Sequence, residues 1–362
     1  MAEFRRKAMS LAVDAVALAV LIGSLGLIAR SRLTGAGAGR SAPPLLALRE
    51  PGRGRHAETP VGIPMRGWRD IFKRTWKEFQ EDHITLVAAG ITFYSLLAFF
   101  PGVAAFVALY GLFANVQDAR DQFLTLAVIL PPDTVRFVGD QMVQVAAAHT
   151  GGLSLTFATG LALSLWSANG AAKAIFLGLN IAYEETEKRG FVRLTLVSFA
   201  FTLGLLAFFI VLLAAAVAVP TALVLFGYEA QQLVRAVIWP LLALAIWGAV
   251  TLLYRYGPSR ERARWRWISW GAAFVTLFWI AASWAFSLWL GSFAHYDKTY
   301  GPLGAVIGFM MWTYLSAVIV LAGAELNAEM EHQTGRDTTT GEPLPLGARG
   351  AQMADTIGAA QR

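Results

Sequence analysis

Asn169, Lys173, Asn180 and Glu184 recur through a largely apolar stretch at offsets of 4, 7 and 4 residues. At 100° per residue they fall on one helical stripe roughly 60° wide. Polar groups are costly in hydrocarbon and turn toward a bundle interior or a wet cavity, so this stripe is the candidate polar path or ligand contact. The same spacing also suits a seam in which the asparagines bond neighbouring helices while Lys173 and Glu184 snorkel to the interface. The packing reading is the favoured one.

A second set of residues lies around the last apolar run. Thr313, Ser316, Gly323 and Asn327 share a side, Gly304 and Gly308 form a small-xxx-small pair suited to close helix approach, and Glu325 with Asn327 closes the far end. At the near end, Tyr300, Gly301 and Pro302 follow Tyr296, Asp297 and Lys298 in a compact turn that suits an interfacial aromatic anchor, or an entrance. Pro101 removes a backbone hydrogen bond from an earlier run, which predicts a kink, either structural or hinge-like.

No catalytic constellation accompanies these residues. His56, His83, His149, His295 and His332 are scattered one per segment, without the paired spacing of a zinc site. Cysteine is absent, which removes disulfides, thiolate metal ligands and a cysteine nucleophile. No Gly-rich phosphate loop ends in Lys-Ser or Lys-Thr. The expectation is therefore a protein with no catalytic residue, no metal and no cofactor.

The elements that carry these residues are membrane spans. The chain is 56% hydrophobic and 15% charged, whereas a soluble domain is about 25% charged. Six runs are long enough to cross a bilayer: Leu86–Phe113, Leu153–Ala172, Leu194–Val219, Val234–Leu253, Trp267–Leu290 and Leu303–Ala324. A weaker run, Leu11–Ala29, holds Asp14 and several glycines and is expected to be an N-terminal anchor rather than a cleaved signal peptide. The fold class is all-α, a polytopic transmembrane bundle of six core spans plus that anchor.

The basic residues orient the bundle. Arg66, Arg69, Lys73, Arg74 and Lys77 precede the first core span, Lys188, Arg189 and Arg193 follow the second, and Arg255, Arg260, Arg262, Arg264 and Arg266 follow the fourth. The alternate loops are poor in bases, so both ends of the core are expected in the cytoplasm, with the extreme N-terminus outside. The net charge of +6 sits in these loops, where anionic lipid headgroups are the expected partner and nucleic acid is not. A second copy of the chain or an envelope protein is a further partner class.

Four regions follow: an anchor over 1–30, a disordered Gly/Pro/Arg-rich linker over 31–65, the six-helix domain over 66–332 and a disordered tail over 333–362. Within the domain, Trp68, Ile71, Phe72, Thr75, Trp76 and Phe79 predict the apolar face of an interfacial helix, with Lys73, Lys77 and Glu78 opposite. Pro131, Pro132 and Asp133 predict a membrane-hugging cap helix with Val135, Val138, Met142 and Val145 on one face.

Over residues 66–332 the sequence resembles the YihY/BrkB family of bacterial inner-membrane proteins. The resemblance rests on Ala88–Leu97 running to Pro101, Leu165–Asn169 with Leu179–Tyr183, Arg262–Trp267, Tyr300–Ala305 and Gly323–Asn327. It implies six helices with both core ends cytoplasmic. The family has carried the label ribonuclease BN, which the residues of this chain do not support, and one branch is associated with serum resistance and virulence. What the resemblance implies about activity is transport of lipids or related amphiphiles, with a non-transporting scaffold for envelope proteins as the rival reading.

Overall fold

A computed structural model describes residues 47–110, 139–141, 155–226, 228–292 and 302–361. The expected anchor Leu11–Ala29, nearly all of the cap helix, and Tyr300 and Gly301 with the turn before them lie outside these residues. Among the described residues the chain forms helices and no strand, apart from a single antiparallel bridge between Ala263 and Thr339.

Helix α1 (Met65–Glu81) follows Pro64 and ends at Asp82, whose N–H donates to the Glu78 carbonyl at 2.8 Å. His83, at φ +50°, turns the chain directly into α2 (Ile84–Tyr110), which continues on both sides of Pro101. Helix α3 (Leu155–Ala182) stops where Glu184 takes φ +54°, and a short loop leads into α4 (Phe191–Phe226). Helices α5 (Tyr228–Tyr256), α6 (Trp265–Ser292) and α7 (Pro302–Gln333) complete the bundle, α7 opening on a proline that needs no N–H there. A single helical turn, α8 (Gln352–Asp355), lies in the tail.

Helices α2 to α7 pack in a closed ring, each against the next and α7 back against α2, with α7 also touching α3. The core between them holds Ile84, Ala88, Leu179, Tyr254, Ile268 and Leu321. Large apolar side chains such as Leu86, Leu163, Leu196, Leu277 and Trp284 point outward, the arrangement a hydrocarbon solvent favours. Among the described residues, four stretches are long and apolar enough to cross a membrane: Ile84–Val107, Phe191–Val211, Trp265–Trp289 and Val306–Gln333, with Pro240–Tyr256 a shorter apolar helix. The fold is a helical membrane bundle. Helix α3, with 28 residues, is long enough to span but carries Asn169, Lys173 and Asn180.

Three expectations change at the end of the bundle where α1, the α3–α4 and α5–α6 loops and the tail meet, hereafter the arginine-rich end. The described half of the linker is ordered: Ala47, Arg55, Ala57 and Ile63 are buried, and Arg55 donates to the Gln333 carbonyl and to Glu50. The tail is ordered as well. Arg349 donates to the carbonyls of Gly335, Arg336, Leu344 and Ala354, while Met353, Ala354 and Ile357 are buried. Both segments are too poor in apolar residues to collapse by themselves, and buried guanidinium groups organise their backbone instead. Finally, α1 turns Asp70, Ile71, Arg74 and Glu78 toward the bundle and leaves Phe72 and Trp76 exposed. Arg74 faces protein because α7 offers it Glu329 and Gln333, and Asp70 accepts from Arg53 and the Gln361 N–H. Of the aromatics, Phe72 and Trp76 face outward while Trp68 and Phe79 pack against buried residues.

Candidate functional site at the arginine-rich end

The stripe on α3 does not converge on one space. Asn169 Oδ1 accepts from the Thr202 hydroxyl of α4 at 3.3 Å. Lys173 Nζ donates to Thr195 of α4 at 3.0 Å and lies over the rings of Trp166 and Phe191. Asn180 accepts from the Ser259 N–H at 2.7 Å and donates to Glu187 at 3.0 Å, tying α3 to the α3–α4 and α5–α6 loops. Glu184, past the end of α3, is half-buried. Each of the three residues on α3 is satisfied by a different neighbour.

On α7, Asn327 is fully buried and bridges to α6, accepting from the Gly271 N–H at 2.8 Å and donating to the Ile268 carbonyl at 3.1 Å. Close approach occurs at Gly323, where an added Cβ would lie 2.6 Å from the Tyr254 hydroxyl and 3.0 Å from the Gly271 carbonyl oxygen. Gly308 is different: a Cβ there would meet no atom within 4 Å. At Gly308 the expected close approach is therefore absent; the close crossing sits further along, at Gly271 and Gly323. Gly304 is half-buried, and Pro101 is likewise.

Glu325 stands apart. It is 1% exposed and its Oε1 has no hydrogen-bond partner among the described residues. The charges that act on it are those of Asp82, Glu329, Glu78 and Glu184, brought by the corner after α1, by α7 itself, by α1 and by the end of α3. Glu329, one turn along α7, is paired with Arg74, whose Nε lies 2.5 Å from its carboxylate. Arg74 is further engaged with the Gln333 side chain and the Ala359 carbonyl. Arg260 is committed to Glu331 at 2.6 Å and stacks on Tyr183, whose buried phenol is pushed above its usual range by desolvation. The described residues that are not glycine and have positive φ, His83 and Glu184, both flank this acidic chamber. Such backbone costs about 1–3 kcal/mol and concentrates at functional sites.

At the rim, Glu187 shows the opposite electrostatics. Partial burial by itself would raise its pKa, but hydrogen bonds from Arg189 and Asn180 hold the carboxyl down to about 2. The chamber thus separates carboxylates with partners, Glu187, Glu329 and Glu331, from Glu325. Among the described residues no group of three histidine, aspartate or glutamate side chains is placed to hold a metal ion.

Sequence reading singled out Glu184, Glu325 and Asn327, which the fold brings to this end, but missed Glu78, Asp82, Glu329 and Arg74. The signal was present in the spacing. Glu78 with Asp82, and Glu325 with Glu329, are i, i+4 pairs at helix ends, an arrangement in which like charges destabilise a helix unless something else requires them.

The family model described as Virulence factor BrkB matches residues 75–345. A Bacillus subtilis protein called ribonuclease-like, YfkH, is 29% identical over 67% of this chain and 88% of its own length. A UPF0761 membrane protein of Verminephrobacter eiseniae is 30% identical over 72% of this chain and 62% of its own. One from Rhodospirillum centenum is 30% identical over 75% and 60% respectively. The chain thus spans most of YfkH but under two thirds of the other two. No solved structure matches it significantly.

Proposed function

The chain belongs to the Virulence factor BrkB family, and from that premise we propose that it is a transporter-like protein of the inner membrane that acts on a lipid or other amphiphile. The observation that supports this most is Glu325, a buried carboxyl whose Oε1 has no hydrogen-bond partner among the described residues, at one end of a closed ring of helices. Burying an ionisable group without a partner is expensive, and such groups concentrate at functional sites. In this reading the arginine-rich end is cytoplasmic, by the excess of Lys and Arg in its loops. Exposed Arg262 and Arg266 meet anionic headgroups, while Arg260 and Arg264 are engaged inside the protein.

A non-transporting scaffold, recruiting a second copy or an envelope protein, is favoured by one observation: Asn169, Lys173 and Asn180 are bonded to neighbouring segments rather than lining a shared cavity. The ribonuclease-like name belongs to YfkH and is not extended to this chain. Reconstitution of the purified chain into vesicles, with assays for lipid scrambling and solute flux, separates the readings. Flux above that of protein-free vesicles is expected. Its absence across lipid classes, with the protein folded and inserted, would leave the scaffold.

A further inference from the structure

We propose that Glu325 is a proton-binding site at the arginine-rich end of the bundle. Its purpose, coupling of proton binding to transport, rests on the transporter-like reading, but its existence does not. The basis is geometric. The side chain is 1% exposed, its Oε1 lacks a hydrogen-bond partner among the described residues, and further negative charge acts on it from α1 with its C-cap Asp82 and from the end of α3.

The guanidinium groups of Arg74 and Arg260 are committed elsewhere, whereas the buried His332 ring has no hydrogen-bond partner on either nitrogen among the described residues. Arg74, from α1, donates to Glu329 and to Gln333. Arg260, from the α5–α6 loop, donates twice to Glu331. His332 lies with its Nδ1 3.7 Å from Glu329 Oε1, on the same helix. The remaining ionisable groups facing this space are acidic: Glu78 on α1, Asp82 after it, Tyr183 and Glu184 after α3. From α5, the Tyr254 hydroxyl is occupied as a donor to the Val320 carbonyl.

An ionised carboxylate in such a place would lose its hydration and gain like-charge neighbours in exchange. A buried group in that position binds a proton rather than remain charged. A metal cation is the other ligand that could neutralise it, and among the described residues no set of three carboxylate or imidazole ligands is placed to coordinate one. The proton is therefore the ligand the geometry fits. Arg74 on Glu329, one helical turn away, explains why the two similar glutamates of α7 differ: one has a guanidinium and the other does not.

The test is infrared spectroscopy of the full chain in lipid nanodiscs, following the carbonyl stretch of protonated carboxyls through a pH titration. At about pH 7 ordinary glutamates, with pKa near 4.3, are ionised and silent in that band. The native protein should show the band at about pH 7 and lose it at higher pH. Glu325→Gln should abolish it, whereas Glu184→Gln should leave it in place. A native protein without the band, or a band that survives in Glu325→Gln, would overturn the proposal. Glutamine imitates the protonated carboxyl, so failure of Glu325→Gln to fold where Glu325→Asp folds would overturn it as well. A band assigned to Glu325 in a protein that moves no lipid or solute would leave the proton site standing and remove the transport reading instead.

Discussion

Adding one methyl group at Gly271 tests how closely α6 and α7 cross. In Gly271→Ala the new carbon would lie 2.5 Å from the amide carbon and oxygen of Asn327, and closer still to the Gly323 carbonyl oxygen. Ordinary contact begins near 3.4 Å, so the helices must part by about 1 Å, an overpacking strain typically costing about 1–3 kcal/mol. The shift also pulls on the two hydrogen bonds of Asn327, to the Gly271 N–H and the Ile268 carbonyl. Such bonds are worth about 0.6 kcal/mol each in a membrane protein. Against this, alanine gains up to about 1 kcal/mol over glycine in helix propensity. The net destabilisation expected is about 1–3 kcal/mol. Gly308→Ala is the internal control, since its methyl meets nothing within 4 Å and should be neutral or slightly stabilising. Thermal unfolding of the purified protein in detergent, followed by tryptophan fluorescence, compares the two. If Gly271→Ala unfolds at or above the temperature of Gly308→Ala, the close crossing at Gly271 and Gly323 is refuted.

Three further outcomes are expected. Asn180→Leu leaves the buried Ser259 N–H without its acceptor and should cost about 1–3 kcal/mol; a variant of native thermal stability that fails to complement a deletion strain would instead restore the stripe as a functional path. Glu187 has a folded pKa of about 2 against an ordinary 4.5, so its contribution to stability is fully present above 4.5 and lost as pH falls toward 2. Unfolding temperatures measured across that window should drop more steeply for the native protein than for Glu187→Gln, and parallel curves would count against the Arg189 and Asn180 hydrogen bonds. For topology, Glu261→Cys on the exposed part of the α5–α6 loop should resist an impermeant thiol reagent in intact cells and react after lysis; labelling in intact cells would invert the bundle.

Apolar runs and their lengths determined from sequence that this chain is an all-α membrane bundle, because a bilayer demands about 20 apolar residues per span and leaves the backbone few alternatives. Spacing likewise placed Asn169, Asn180 and Asn327 on inward faces, since a helix converts offsets of three, four and seven into a side. What each of them meets was not legible. Asn180 finds Ser259, and Asn327 finds Gly271, 79 and 56 residues away, and no local rule links those positions. Gly304 and Gly308 carried the pattern for close packing, but the crossing formed at Gly271 and Gly323, because helix contact depends on which faces the ring turns inward. The arginines misled most. Arg74 and Arg260 read as loop charge that orients the bundle, and Arg55 and Arg349 lay in segments expected to be disordered, yet the fold buries each against carbonyls or carboxylates. Through them a linker and a tail without an apolar core of their own become ordered structure. The same selection leaves Glu329 with a guanidinium and Glu325 without one, a difference that exists only once α1 has been laid across the end of α7.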